Sequence, residues 1–126
     1  MNLWGIEKIG FDNKDIELHG SKYLIGNGYM GYRGTMEEHT ADELVAVNLA
    51  GLFDKNGGQW RESVNAPNPL YTAVTVNGDA LSLGKTDIVS HRQALDIKRG
   101  IHTRETVFSA SDAQITVSAE RFVSMA

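Results

Sequence analysis

Ile101-His-Thr-Arg-Glu-Thr-Val-Phe108, the link Ser109-Ala-Ser-Asp112, and Ile115-Thr-Val-Ser-Ala-Glu120 follow one another near the C-terminal end of the chain. The first segment is rich in β-branched residues, which suit a pleated, half-buried surface. The last alternates strictly, with Ile115, Val117 and Ala119 on one side and Thr116, Ser118 and Glu120 on the other. The short polar link between them fits a hairpin turn, so the two segments are predicted to pair antiparallel. After Ala119 the apolar phase moves to Phe122, which predicts a β-bulge or a change of face near Arg121.

Working outward, Gln93–Lys98 reads as the preceding strand, turned at Arg99-Gly100. Tyr71–Val76 reads as another, ending in Asn77-Gly78-Asp79, a strong hairpin signal. The stretch 43–53 fits strand or helix, with Val45 and Val47 on one face favouring strand. Lys22–Ile25 is a further short strand. Asp54–Pro69 contains Gly57-Gly58, Trp60 and both prolines of the chain, and is expected to be one long loop. Thirteen glycines and no sustained 3.6-residue apolar period point to an all-β antiparallel meander.

At 126 residues, one domain or part of one is the ceiling. Charged residues make up 22% and apolar ones 41%, the composition of a chain that folds. The net charge is −4 and the twelve Lys and Arg residues are dispersed, so nucleic acid is not an expected partner, because backbone binding needs clustered cations. The absence of cysteine removes disulfides, thiolate zinc sites and thiol catalysis. The longest apolar run, Leu44–Val47, cannot span a bilayer, and residues 1–7 lack the features of a secretory signal. The expected location is the cytoplasm, with no membrane partner.

Gly26-Asn27-Gly28-Tyr29-Met30-Gly31 satisfies G-x-G-x-x-G. A dinucleotide site needs a helix directly after that pattern, and Tyr32-Arg33-Gly34-Thr35 offers none. A kinase phosphate loop fails as well, because Asn48 stands after Val45-Ala46-Val47 where a lysine is required. Gly26, Gly28, Gly31 and Gly34 are therefore read as turn and close-packing positions. Asn27 and Arg33 are read as groups that pin neighbouring backbone rather than contact a ligand.

Glu37 and Glu38 are adjacent, so on an extended strand they diverge and cannot flank one bond. They are expected to be solvated surface charges, as are Asp42, Glu43, Asp54 and Glu62. His19, His39, His91 and His102 show no metal-ligand spacing, and no metal or other cofactor is expected. Trp4, Phe53, Trp60 and Tyr71 are aromatics able to stack on a sugar, and Trp60 with Arg61 is the candidate substrate contact, although an aromatic in an anchored loop more often caps one end of the core.

The run from Tyr23 through Gly34 resembles the opening motif of the maltose, trehalose and kojibiose phosphorylases of glycoside hydrolase family 65. The likeness continues in order through Leu52-Phe53, Trp60, Val64-Asn65-Ala66-Pro67-Asn68, Val76-Asn77-Gly78, Arg92-Gln93-Ala94-Leu95-Asp96 with Gly100, Thr103-Arg104 and Arg121-Phe122-Val123-Ser124-Met125.

That resemblance implies an N-terminal antiparallel β-sandwich, of which residues 1–126 form the first part, preceding an (α/α)6 barrel that carries the chemistry. It implies no catalytic residue within these residues, inorganic phosphate as the parent's co-substrate if the parent is a phosphorylase, and water if it is a hydrolase. The partners implied are the rest of the parent enzyme or a second copy of this chain, with disaccharide met only through the parent. Unpaired strand edges on a partial sandwich predict a dimer or higher oligomer. The alternative is a stand-alone carbohydrate-binding or structural interaction module.

Overall fold

Alternating side chains and two-residue turns set the topology. The computed structural model describes residues 3–58 and 60–125. Strands β1 (Gly5–Ile9), β8 (Asp87–Asp96), β9 (Ile101–Ala110) and β10 (Ala113–Arg121) form one antiparallel sheet in the order β1-β8-β9-β10. Strands β2 (Ile25–Gly26), β3 (Met30–Tyr32), β4 (Val47–Asn56) and β5 (Trp60–Asn65) form a second, in chain order. A small hairpin pairs β6 (Thr75–Val76) with β7 (Asp79–Ala80).

The two larger sheets make an antiparallel sandwich. Its core joins Ile25, Tyr32 and Val47 of the second sheet to Leu95 and Ile6 of the first, with Tyr23 buried among them. A second cluster gathers Met36, Leu81, Leu83 and Phe108.

The turns follow the sequence. Ser111 and Asp112 take φ of 50° and 62°, and Asn77 and Gly78 take 52° and 94°. Positive φ at both central residues matches the right-handed twist of the flanking strands. Gly100 closes the β8–β9 turn at φ 66°, where Arg99 N donates to Asp96 Oδ1 at 3.1 Å.

Four expectations are corrected. The stretch 54–69 is not a loop, since β4 runs to Asn56, turns at Gly57 and Gly58 (φ 57° and 81°), and returns as β5. Of that stretch, residues 66–69 remain irregular. No bulge occurs at Arg121, which faces His102 in unbroken β9–β10 register. The register shifts lie instead between Ile88 and Ser90 and between Asn48 and Phe53. Finally, Lys22 ends a short helix, α1 (Ile16–Lys22), rather than opening a strand, and residues 71–74 of the expected Tyr71–Val76 strand are not strand.

Candidate functional site

The inward face of the β8-β9-β10 sheet is largely polar. Alternation places His102, Arg104, Thr106 and Phe108 of β9 inward, beside His91, Gln93 and Leu95 of β8, and all seven are buried. Arg121 ends the inward row of β10 after Ile115, Val117 and Ala119. Buried cations demand partners, because desolvating an unpaired charge costs several kcal/mol or more.

The partners come from the β3–β4 connection. Arg104 donates from Nη2 to Glu38 Oε1 at 2.8 Å and from Nη1 to Glu37 Oε2 at 2.8 Å, and Nη1 also reaches Glu38 Oε2. Its side chain is 1% exposed. Arg121 Nε sits 2.9 Å from Glu37 Oε1, Arg121 Nη1 donates to the Thr35 carbonyl, and the guanidinium lies over the Tyr32 ring at 5.6 Å. The expectation of solvated Glu37 and Glu38 is thus overturned. The two carboxylates converge after all, because the 35–40 segment is not a regular strand and both aim at one guanidinium.

A neutral relay extends from this cluster. Arg104 Nε donates to Thr106 Oγ1 at 2.9 Å, and His91 Nδ1 lies 2.8 Å from the same hydroxyl. Gln93 Nε2 lies 3.1 Å from His91 Nε2, and Gln93 Oε1 lies 3.3 Å from His102 Nε2. One proton assignment satisfies every contact: His102 donates to Gln93, Gln93 to His91, and His91 to Thr106. Both imidazoles are neutral in it. The His102 ring stacks on Tyr23, centroids 5.2 Å apart.

Electrostatics agree with the geometry. Burial, reinforced by Arg104, lowers His91 to about 4, and burial with Arg121 and Arg104 lowers His102 to about 3. Burial opposes the charge of Glu38, but hydrogen bonds from Arg104 and its positive charge outweigh it and lower the carboxyl below its ordinary value. Arg104 is correspondingly raised, burial being outweighed by Glu38 and then Glu37. A carboxylate held ionised as Glu38 is makes a poor general acid.

Trp60 and Arg61 lie on the projecting β4–β5 hairpin. Cross-strand pairs share a face, so Phe53, Lys55, Arg61 and Ser63 occupy one side of this arm and Asp54, Trp60 and Glu62 the other. Trp60 and Arg61 therefore point in opposite directions and do not form one contact. Phe53 and Trp60 are 55% and 56% exposed, and Trp4 and Tyr71 are also exposed. Lys55 opposes Arg61 and Asp54 opposes Glu62, like-charge placements that cost stability.

The glycine run forms the β2–β3 turn and its exit. Asn27 Oδ1 accepts from the N–H groups of Tyr29 and Met30, both at 2.9 Å, while Asn27 Nδ2 donates to the Ser124 carbonyl, tying the turn to the end of the first sheet. Gly28 has φ +87°. A Cβ on Gly26 would lie 2.9 Å from Met30 O, and one on Gly34 would lie 2.4 Å from Tyr23 Cβ, whereas Gly31 has open space. Arg33 crosses Gly20 of α1 and donates to the Glu17 carbonyl.

Residue type picks out neither Arg104 nor Arg121 as a site residue, and adjacency sets Glu37 and Glu38 aside as solvated charges. One signal could have found the cations: Arg104 shares the phase of Phe108, and Arg121 that of Ile115 and Val117.

The fold and its polar interior define a two-sheet β-sandwich whose only dense charge cluster among the described residues is internally compensated. Residues 6–126 match the model of the glycosyl hydrolase family 65 N-terminal domain, and the chain belongs to that family. It is 41% identical over 122 residues to a nigerose phosphorylase of Lachnoclostridium phytofermentans, covering 97% of this chain and 16% of that protein. It is 41% identical over 103 residues to a kojibiose phosphorylase of Thermoanaerobacter brockii, covering 81% of this chain and 13% of that one. A maltose phosphorylase of Bacillus subtilis is 30% identical, covering 98% and 18%. A solved structure described as "Putative kojibiose phosphorylase from human microbiome" superposes with a TM-score of 0.87 at 18% identity, over 97% of this chain and 18% of that one, which shows the shared fold. The chain thus spans about a sixth of the length of the curated relatives it matches.

Proposed function

We propose that this chain is the non-catalytic N-terminal part of a disaccharide phosphorylase, or of a related glycoside hydrolase, and supplies scaffold and subunit contacts. One observation carries this reading: Glu37 and Glu38, the pair of carboxylates that could have suggested acid and base chemistry, are committed to Arg104 and Arg121 inside the sandwich. An acid and base flanking a glycosidic bond must reach substrate and exchange protons. These two are taken up in holding two buried guanidinium groups.

The parent would take a disaccharide and, as a phosphorylase, inorganic phosphate as co-substrate, in the cytoplasm. Its reacting carboxylates would belong to a separate catalytic barrel. The test is direct assay of the chain with kojibiose, nigerose or maltose and phosphate. No sugar phosphate should form, and phosphate-dependent turnover would overturn the proposal.

The exposed aromatics of the β4–β5 arm favour a second reading, a carbohydrate-binding module using Trp60 or Arg61. Because these side chains face opposite ways, a sugar would meet one of them at a time. Calorimetric titration with the same disaccharides separates the readings: a module binds, and a scaffold gives no heat beyond dilution.

A further inference from the structure

The chain holds three Asn-Gly steps, Asn27-Gly28, Asn56-Gly57 and Asn77-Gly78. Asparagine is among the thermally labile residues, and it reacts most readily before glycine, where no Cβ shields the following backbone nitrogen. That nitrogen attacks the asparagine Cγ, so the reaction needs a side chain free to swing and a peptide N–H not already engaged. The fold treats Asn27 and Asn77 in opposite ways. Asn27 is clamped: its Oδ1 accepts from the N–H groups of Tyr29 and Met30, both at 2.9 Å, its Nδ2 donates to the Ser124 carbonyl, and its own N–H donates to the Met30 carbonyl at 3.1 Å. Asn77 is exposed, with φ 52°, at the first corner of a turn whose second corner, Gly78, has φ 94°. Val76 pairs with Asp79 across that turn, which leaves the Gly78 N–H outside the ladder. Among the described residues no hydrogen bond holds the Asn77 side chain.

We propose that Asn77 is a modification site, a self-deamidating residue whose conversion to aspartate and isoaspartate loosens the β6–β7 hairpin. This goes beyond the role above and does not rest on it. Hydroxide removes the Gly78 amide proton, and the nitrogen attacks Asn77 Cγ. The new C–N bond closes a succinimide ring as the Cγ–Nδ2 bond breaks and ammonia leaves. Water then opens the ring at either carbonyl. One opening gives aspartate. The other gives isoaspartate, in which the chain runs through the side-chain carbonyl and the former backbone carbonyl becomes a free carboxylate.

Both products bring a negative charge close to Asp79, and isoaspartate also adds a methylene to a turn built on two left-handed residues. With a longer backbone the turn no longer sets Val76 opposite Asp79, because turn geometry fixes hairpin register. Val76 packs against the cluster of Met36, Leu81, Leu83 and Phe108. β7 runs straight on into Leu81, whose N–H donates to the Val74 carbonyl at 2.8 Å. The damage at Asn77 is thereby passed to the second core cluster, whereas the clamp on Asn27 protects the glycine run.

The folded chain and the chain unfolded in guanidinium chloride are incubated side by side at mildly alkaline pH, and Asn27 and Asn77 are followed by peptide mapping with mass spectrometry. Unfolded, both are Asn-Gly steps in open chain and should convert at similar rates. Folded, Asn77 should convert at least about tenfold faster than Asn27, since freeing Asn27 means losing its side-chain hydrogen bonds together. Chain carrying isoaspartate at position 77 should melt at a lower temperature than unmodified chain. Folded chain that converts Asn27 as fast as Asn77, or that keeps Asn77 intact while the unfolded chain loses it, overturns the proposal. So does isoaspartyl chain that melts like the unmodified one. Each of these results leaves the non-catalytic role intact, because that role fails only if the chain turns over substrate.

Discussion

Arg104 and Glu38 meet as a bidentate pair inside the sandwich, with Arg104 Nη2 donating to Glu38 Oε1 at 2.8 Å, Nη1 reaching Oε2, and the arginine side chain 1% exposed. Planar guanidinium and carboxylate match edge to edge, which is why arginine rather than lysine suits such a place. The pair joins β9 to the β3–β4 connection, and Glu37 extends it to Arg121 at the end of β10. Three distant parts of the chain are thereby held in one geometry.

Acid should unfold the domain in two overlapping stages. His91 and His102 are neutral in the fold at about 4 and about 3, against an ordinary 6.5. Between 6.5 and those values the unfolded chain binds more protons, so stability falls as pH drops through that window. Glu38, lowered by Arg104, contributes stability that is present above its ordinary value of 4.5 and is lost as pH falls through its folded value. Urea midpoints measured from pH 7 to 3 should decline throughout, and His102→Gln should flatten the upper part of the slope.

Gly34 and Gly31 should respond oppositely to alanine. A Cβ on Gly34 would sit 2.4 Å from Tyr23 Cβ and 2.6 Å from its carbonyl oxygen, and backbone there cannot yield as a flexible side chain could. Gly34→Ala should cost about 1–3 kcal/mol or more. Gly31→Ala meets nothing within 4 Å and should stay within about 0.5 kcal/mol of the parent. Equilibrium denaturation of both variants checks the contrast.

Arg33→Ala should lower stability without touching any sugar affinity. The guanidinium lies across Gly20 and donates to the Glu17 carbonyl of α1, so its loss removes a tie between α1 and the exit of β3. A cost of about 1 kcal/mol is expected. Denaturation midpoint and calorimetric titration with disaccharide, read together, check it.

Much of this fold can be read from turn chemistry. Asn77-Gly78, Ser111-Asp112 and Gly100 mark real turns, and the alternation from Ile115 to Ala119 places β10 correctly. Gly57-Gly58 does not read as a hairpin turn, because apart from Trp60 the residues flanking it, Asp54 to Asn56 and Arg61 to Glu62, are polar or charged. A hairpin that projects from the sandwich has no buried face to impose alternation, so sequence pattern reads it as loop. The buried ion cluster was illegible for a different reason: whether Glu37 is solvated depends on Arg104 and Arg121, 67 and 84 positions away in the sequence, and on a connection with no regular period. The shared phases of Arg104 with Phe108 and of Arg121 with Ile115 and Val117 are the hints the sequence holds.

Whether Glu37 and Glu38 hold the sandwich rather than serve chemistry is tested most directly by a double-mutant cycle on Arg104 and Glu38, read by urea denaturation at neutral pH. Arg104→Met alone leaves the half-buried Glu38 facing a neutral group while Glu37 keeps only Arg121, and should cost about 3–5 kcal/mol. Glu38→Gln should also destabilise. The double variant should fall short of the sum of the two by about 1 kcal/mol or more, since each residue's role is the other. Single variants that leave stability unchanged, or costs that simply add, would contradict a structural role for the pair.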